Sequence, residues 1–222
     1  EGSMVVGKYG VLVMGADGSY YFKLNNASPE VQALNGADPN DPSSKPDSLT
    51  EKFRVIVRDD KGGVTYKEIT VDIQGTDDMP MLYLYGVDGS LAATGPAGSG
   101  ALLVVKEKQG GTDADYTVHG KAQGYDADAD DYDDLKYSIK DGGSNATEVT
   151  IFAVKTASGW EVTSSSTPGA VEMGSLSIND TSGLYTFKGK PDGIAKLGVG
   201  EELHIPGTVV VQDTHGNEST AD

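Results

Sequence analysis

Between Lys52 and Ile73 the chain reads KFRVIVRDDKGGVTYKEITVDI. Phe53, Val55 and Val57 alternate with Arg54, Ile56 and Arg58. After a turn at Asp60-Lys61-Gly62-Gly63, Val64, Tyr66, Glu68, Thr70 and Asp72 stand opposite Thr65, Lys67, Ile69, Val71 and Ile73. A period of two, rich in β-branched residues and broken by Gly-Gly, predicts a β-hairpin and is out of step with a helix. The same signature recurs where GVLVM at Gly10 passes through Ala16-Asp17-Gly18 into SYYFKL at Ser19. Thirty glycines and nine prolines in 222 residues interrupt the chain too often for long helices. Single helical turns are predicted at Pro29 to Leu34 and Asp192 to Leu197. Many short strands at regular spacing predict β-sandwiches.

The chain also repeats itself. GVLVMGADGSYYFKL from Gly10 matches GSLSINDTSGLYTFK from Gly174 in its order of strand, Asp- or Ser-Gly turn and aromatic strand. Ala33-Leu34 and Leu49 to Gly62 then match Ala195 to Leu197 and Val209 to Gly216, at an offset of roughly 150–165 positions. Two copies of one module are expected, over residues 1–80 and 81–222. The first is expected to lack its N-terminal half. The second is expected to be longer, with insertions that include a hairpin around Trp160, and to stop before its last strand.

Seventeen basic residues stand against 34 acidic ones, a net charge of −17. Such a field repels phosphate backbones and anionic lipid, so neither nucleic acid nor a membrane surface is an expected partner, and cations are. The longest apolar runs, such as ALLVV from Ala101, are far below the ~20 residues of a membrane helix. No basic start followed by an apolar stretch marks a signal peptide near the N-terminus. The absence of cysteine removes disulfides, thiolate metal sites and cysteine nucleophiles. It suits a reducing cytosol and an exported bacterial protein equally.

The stretch from Tyr9 to Pro80 resembles the VCBS-type, cadherin-like repeats of very large secreted bacterial adhesins of the RTX type. The features that carry the likeness are YG-x-L with ADGSYYFKLNN, then VQAL, the FRVIVRDDKGG hairpin and the ending VDIQGTDDMP, with Asp77 where that family usually has Asn. The second module is similar in a more general, cadherin-like way. It has VVKE ending at Glu107, GKAQGYDADAD from Gly120, LKYSI from Leu135 and VQD ending at Asp213. The resemblance implies tandem Ig/cadherin-like β-sandwich modules, all-β. It further implies an extender role in adhesion and biofilm formation, neighbouring repeats of the same polypeptide as partners, and an extracellular bacterial cell-surface location reached by type I secretion.

The cofactor expected from the residues is calcium. Asp126, Asp128, Asp130, Asp131, Asp133 and Asp134 place six carboxylates in nine positions, which repel one another unless a cation neutralises them. Asp126, Asp128 and Asp130 are two apart and would share one face in extended backbone. The alternative is a solvated acidic loop. The run lacks the Gly and closing Glu of an EF-hand. On the family pattern, Asp77 and Asp78 would form the other half of an interdomain site, with Asp213 approaching from the second module. Asp59, the counterpart of Asp213, and Glu107 would serve sites at the outer ends. For Asp77 and Asp78 the alternative is an Asx-turn before Pro80.

No enzyme is expected. His119, His204 and His215 show no HExxH spacing, no GxSxG elbow accompanies them, and they read as surface residues. GPAGSG lacks the lysine and helix of a phosphate loop. A calcium-dependent binding domain for a host or biofilm glycan or peptide is the rival to an extender, because Tyr83, Tyr85, Tyr116, Tyr125, Tyr132 and Trp160 could stack on a ligand or pack strands. An accessory domain of a secreted carbohydrate-active enzyme is a third reading.

Overall fold

The computed structural model describes residues 3–85, 103–108, 111, 116–128, 131 and 133–222. The architecture is all-β, built from antiparallel strands with two single-turn helices. Chain contacts divide it into two units, Glu1–Asp78 with Ala127–Asp130, and Met79–Asp126 with Asp131–Asp222. Among the described residues no helix is long and apolar enough to cross a membrane.

In the first unit β1 (Ser3–Val6), β2 (Gly10–Met14) and β3 (Tyr20–Leu24) form a three-stranded sheet in that order. A helical turn, α1 (Pro29–Gln32), leads to β4 (Ser48–Arg58) and β5 (Val64–Gln74), which pair over eleven positions as a separate hairpin. Both turns rest on an aspartate. Asp17 Oδ1 accepts the Ser19 N–H at 3.0 Å, and Asp59 Oδ1 accepts the N–H groups of Lys61 (2.9 Å) and Gly63 (2.6 Å). Gly62 supplies the positive φ of 87° that a side chain would resist. The core is small: Val31, Leu34 and Ile73 with Tyr9, Phe22, Leu49 and Val71, and the rings of Phe22 and Phe53 5.9 Å apart.

The second unit begins with β6 (Met81–Tyr85), β7 (Leu103–Lys106), β8 (Thr117–Tyr125), β9 (Lys136–Asp141), β10 (Ser144–Ala146), β11 (Glu148–Thr156) and β12 (Gly159–Thr163). It continues through β13 (Val171–Ile178), β14 (Leu184–Gly189), α2 (Pro191–Ile194), β15 (Glu202–Ile205), β16 (Val209–Gln212) and β17 (Glu218–Ala221). A six-stranded sheet runs β12-β11-β13-β14-β8-β6, a four-stranded one β10-β9-β16-β17, and β15 pairs with β7. One core draws on all three, with Tyr185, Phe187, Met173, Leu203, Ile205 and Val209 fully buried. Each such side chain contributes roughly 1.5–3 kcal/mol relative to exposure. The hairpin around Trp160 is β11–β12, and the sequence repeat has a structural counterpart. The order β2, β3, α1, β4, β5 recurs as β13, β14, α2, β16, β17, with β15 inserted.

Glycine makes the close approach at the centre of this core possible. Gly120 on β8 faces Tyr185 on β14, and a Cβ there would lie 2.3 Å from the ring. Gly120→Val therefore costs on the order of 1–3 kcal/mol or more through overpacking, measurable by denaturant unfolding. The buried Tyr185 hydroxyl donates to the Tyr85 carbonyl at 3.2 Å, and burial pushes its pKa from the usual 10.0 up to about 12. The folded state thus keeps this proton at a pH where the unfolded chain releases it. Stability is complete below the unfolded value and falls as pH rises from there through the folded one. Melting temperature followed across that window drops in the native chain, and Tyr185→Phe removes this contribution to the slope.

Candidate metal centre

The loop from β8 to β9 gathers carboxylates for a reason visible in β8 itself. Gly120 and Ala122 face the core at alternate positions, and continuing the period carries Asp126 to the same side. Beyond it the chain bends instead of running on as a strand, and Asp128 and Asp131 come back beside Asp126. All three are almost wholly buried, at 1%, 0% and 0% exposure. One oxygen from each lies within 4.8 Å of the others. Oxygens on one hard cation at ~2.4 Å can be at most about 5 Å apart, so the spacing fits a single ion. Asp130 lies outside the described residues, so the two-residue ladder is seen only through Asp126 and Asp128.

The β16–β17 turn completes the surroundings. Asp213 Oδ1 accepts three backbone N–H groups, from His215 at 2.9 Å, Gly216 at 2.6 Å and Asn217 at 2.8 Å. This curl delivers the Thr214 N–H to Asp131 Oδ1 at 2.7 Å, the Thr214 hydroxyl to the same oxygen, and His215 Nδ1 to Asp131 Oδ2 at 3.0 Å. Asp213 is 5% exposed, and its second oxygen, Oδ2, is buried without a hydrogen-bond partner among the described residues. Burying an ionised carboxylate without compensation costs several kcal/mol. Asp126, Asp128, Asp131 and Asp213 are four buried carboxyl groups, and the His215 imidazole reaches Asp131. Their donor set is hard oxygen, which suits a metal ion of the calcium or magnesium kind.

Of the other expected ligands, Asp77 and Asp78 belong to the first unit. Asp78 is half-buried, and its N–H donates to Asp128 Oδ2 at 2.7 Å. Asp77 is half-buried, and its main chain packs against Gly36, where a Cβ would meet the Asp77 nitrogen at 2.4 Å. Asp59 stands exposed at the β4–β5 turn and closes it much as Asp213 closes its own. Glu107 is half-buried just after β7. Among the described residues neither Asp59 nor Glu107 belongs to a cluster of three ligand-type side chains.

Asp131 belongs to the six-carboxylate run of the sequence, but it breaks the two-residue spacing that singles out its neighbours. His215, expected at the surface, has a side chain only 7% exposed. Nothing local marks His215; the match between the Asp59 and Asp213 turns points to the right loop. His119 and His204 do lie at the surface, near Thr186 and Glu202. Among the aromatics, Trp160 packs on the core and donates to Glu201 at 3.0 Å, and Tyr116 is 2% exposed with its hydroxyl on the Lys108 carbonyl. Tyr83 and Tyr125 are exposed, and Tyr132 lies outside the described residues.

Asp213→Asn keeps an oxygen for the three N–H bonds and removes the charge. The metal-free melting temperature should rise, because a buried charge is removed, while any stabilisation by added divalent cation should shrink. Asp59→Asn, at the matching exposed turn, should leave that stabilisation intact. No family model, curated protein or solved structure matches this chain.

Proposed function

We propose that this chain is a calcium-loaded pair of β modules from a large extracellular bacterial adhesin, serving as extender repeats in adhesion and biofilm formation. The observation that carries the reading is the buried carboxylate group of Asp126, Asp128 and Asp131, with the unpartnered Asp213 oxygen on the adjoining turn. Bound calcium supplies positive charge and flexible oxygen coordination. The protein's own part is to present Asp126 and Asp128 from the end of β8 and to clamp Asp131 with Thr214 and His215. The likeness of Tyr9 to Pro80 to adhesin repeats supports the extracellular setting, where millimolar calcium would fill sites with dissociation constants of ~10⁻⁴–10⁻³ M. Ligand-free, the modules would carry the mutual repulsion of their acids, and binding would stabilise the folded state by mass action.

Calorimetric unfolding in EDTA, in a few millimolar calcium and in magnesium tests this. A rise in melting temperature of several degrees, specific to calcium and lost on chelation, is the expected result. An unchanged transition would reduce the Asp126–Asp131 loop to buried acids without a metal role and would sink the proposal.

A further inference from the structure

Within the six-stranded sheet of the second unit, β14, β8 and β6 lie side by side. Leu84, Gly120, Ala122 and Tyr185 turn to the core, so the residues that alternate with them face outward. Register sets Met81 beside Tyr125, Tyr83 beside Gln123, and Lys121 between Tyr85 and Leu184. Met81, Tyr83, Tyr125 and Leu184 are 41–48% exposed, a group of large apolar surfaces on one flat face. The Tyr83 hydroxyl approaches Met81 Sδ at 3.9 Å, which lays the ring along the sheet. His119 Nδ1 meets Thr186 Oγ1 at 3.0 Å and fixes the imidazole on the same face.

The charge of this face is opposite to that of the chain. Neither Asp nor Glu occurs on β6, β8 or β14, although the chain holds 34 of them. Elsewhere in this unit Lys106, Lys140, Lys155 and Lys190 each pair with a glutamate. Lys121 and Lys188 are exposed and have no carboxylate partner among the described residues. They are rooted four positions apart in register, roughly 14 Å along the strands. At physiological ionic strength charges beyond about 8 Å are largely screened, so a ligand on this face meets these two ammonium groups before the rest of the acidic molecule.

We infer that this face binds an acidic polysaccharide, a glycan that carries carboxylates on its sugar rings. The C–H faces of the pyranose rings rest on Tyr83, Tyr125 and Met81, and Lys121 and Lys188 give charge-assisted hydrogen bonds to the carboxylates. Gln123 and His119 stand between them as partners for hydroxyl groups. A flat sheet face suits a stiff, extended polymer of rings, whereas a peptide strand adds to a sheet edge. The inference goes beyond an extender role and does not rest on the calcium reading.

The test uses the whole chain and a fluorescently labelled tetramer of galacturonic acid, with its methyl ester as the uncharged control of the same rings. Binding is followed by fluorescence anisotropy and by amide NMR shifts, which also report whether each variant is folded. Saturable binding of the acid is expected in calcium, and equally in EDTA wherever the chain stays folded, with shifted amides confined to β6, β8 and β14. Lys121→Glu with Lys188→Glu, and separately Tyr83→Ala with Tyr125→Ala, should each weaken binding by roughly tenfold or more, while Lys136→Glu on β9 leaves it unchanged. Absence of binding overturns the inference, as do equal binding of the methyl ester and amide shifts elsewhere. Loss of binding in EDTA with the fold intact marks a calcium bridge and overturns it too. So does tighter binding of tetraglutamate, which would make the ligand an acidic peptide.

Discussion

Three carboxyl groups with at most 5% exposure, at Asp126, Asp131 and Asp213, set the terms for the second unit. Burial of negative charge is tolerated only where donors or cations answer it. The β16–β17 turn is shaped around that requirement. Asp213 spends one oxygen on three main-chain N–H groups, and the resulting curl aims Thr214 and His215 at Asp131. A loop and a hairpin more than eighty residues apart in sequence are thus held by the same few charges. Strand pairing of β9 with β16 brings them together, and the acids in turn give that pairing a polar end.

The two units show what happens when one local device meets different surroundings. Asp59 and Asp213 close equivalent hairpins with the same side-chain-to-backbone bonds. At Asp59 the carboxylate stays in water and closes the turn. At Asp213 the carboxylate is almost wholly buried, and its second oxygen has no hydrogen-bond partner among the described residues. The chemistry resides in the neighbour, which is the β8–β9 segment, and among the described residues the first unit has no such segment beside β4.

Core size follows the same division. In the second unit three sheets contribute to a cluster with many side chains fully buried, and Gly120 lets β8 close onto the Tyr185 ring. In the first, three strands and a hairpin enclose a few residues around Phe22 and Phe53, while Met4, Val6, Tyr21, Ile56 and Val57 stay largely exposed. A layer of so few strands has too little apolar area on its inner faces to cover itself.

The hairpins of β2–β3 and β4–β5, their aspartate turns and the single turns of α1 and α2 were legible from the chain alone. Alternation, Gly placement and Asx bonding are local, acting over two to four residues. The internal repeat was legible too, because equivalent strands must present the same alternating pattern. Which strands lie side by side was not: β8 beside β14 and β9 beside β16 are pairings across 60 to 80 residues that no period encodes. That tertiary choice buried Asp131 and His215, left Asp59 in water and packed Trp160 against the core. Composition announced a chain in need of cations. Only folding, by excluding water from some carboxylates and not from others, decided which of them could hold one.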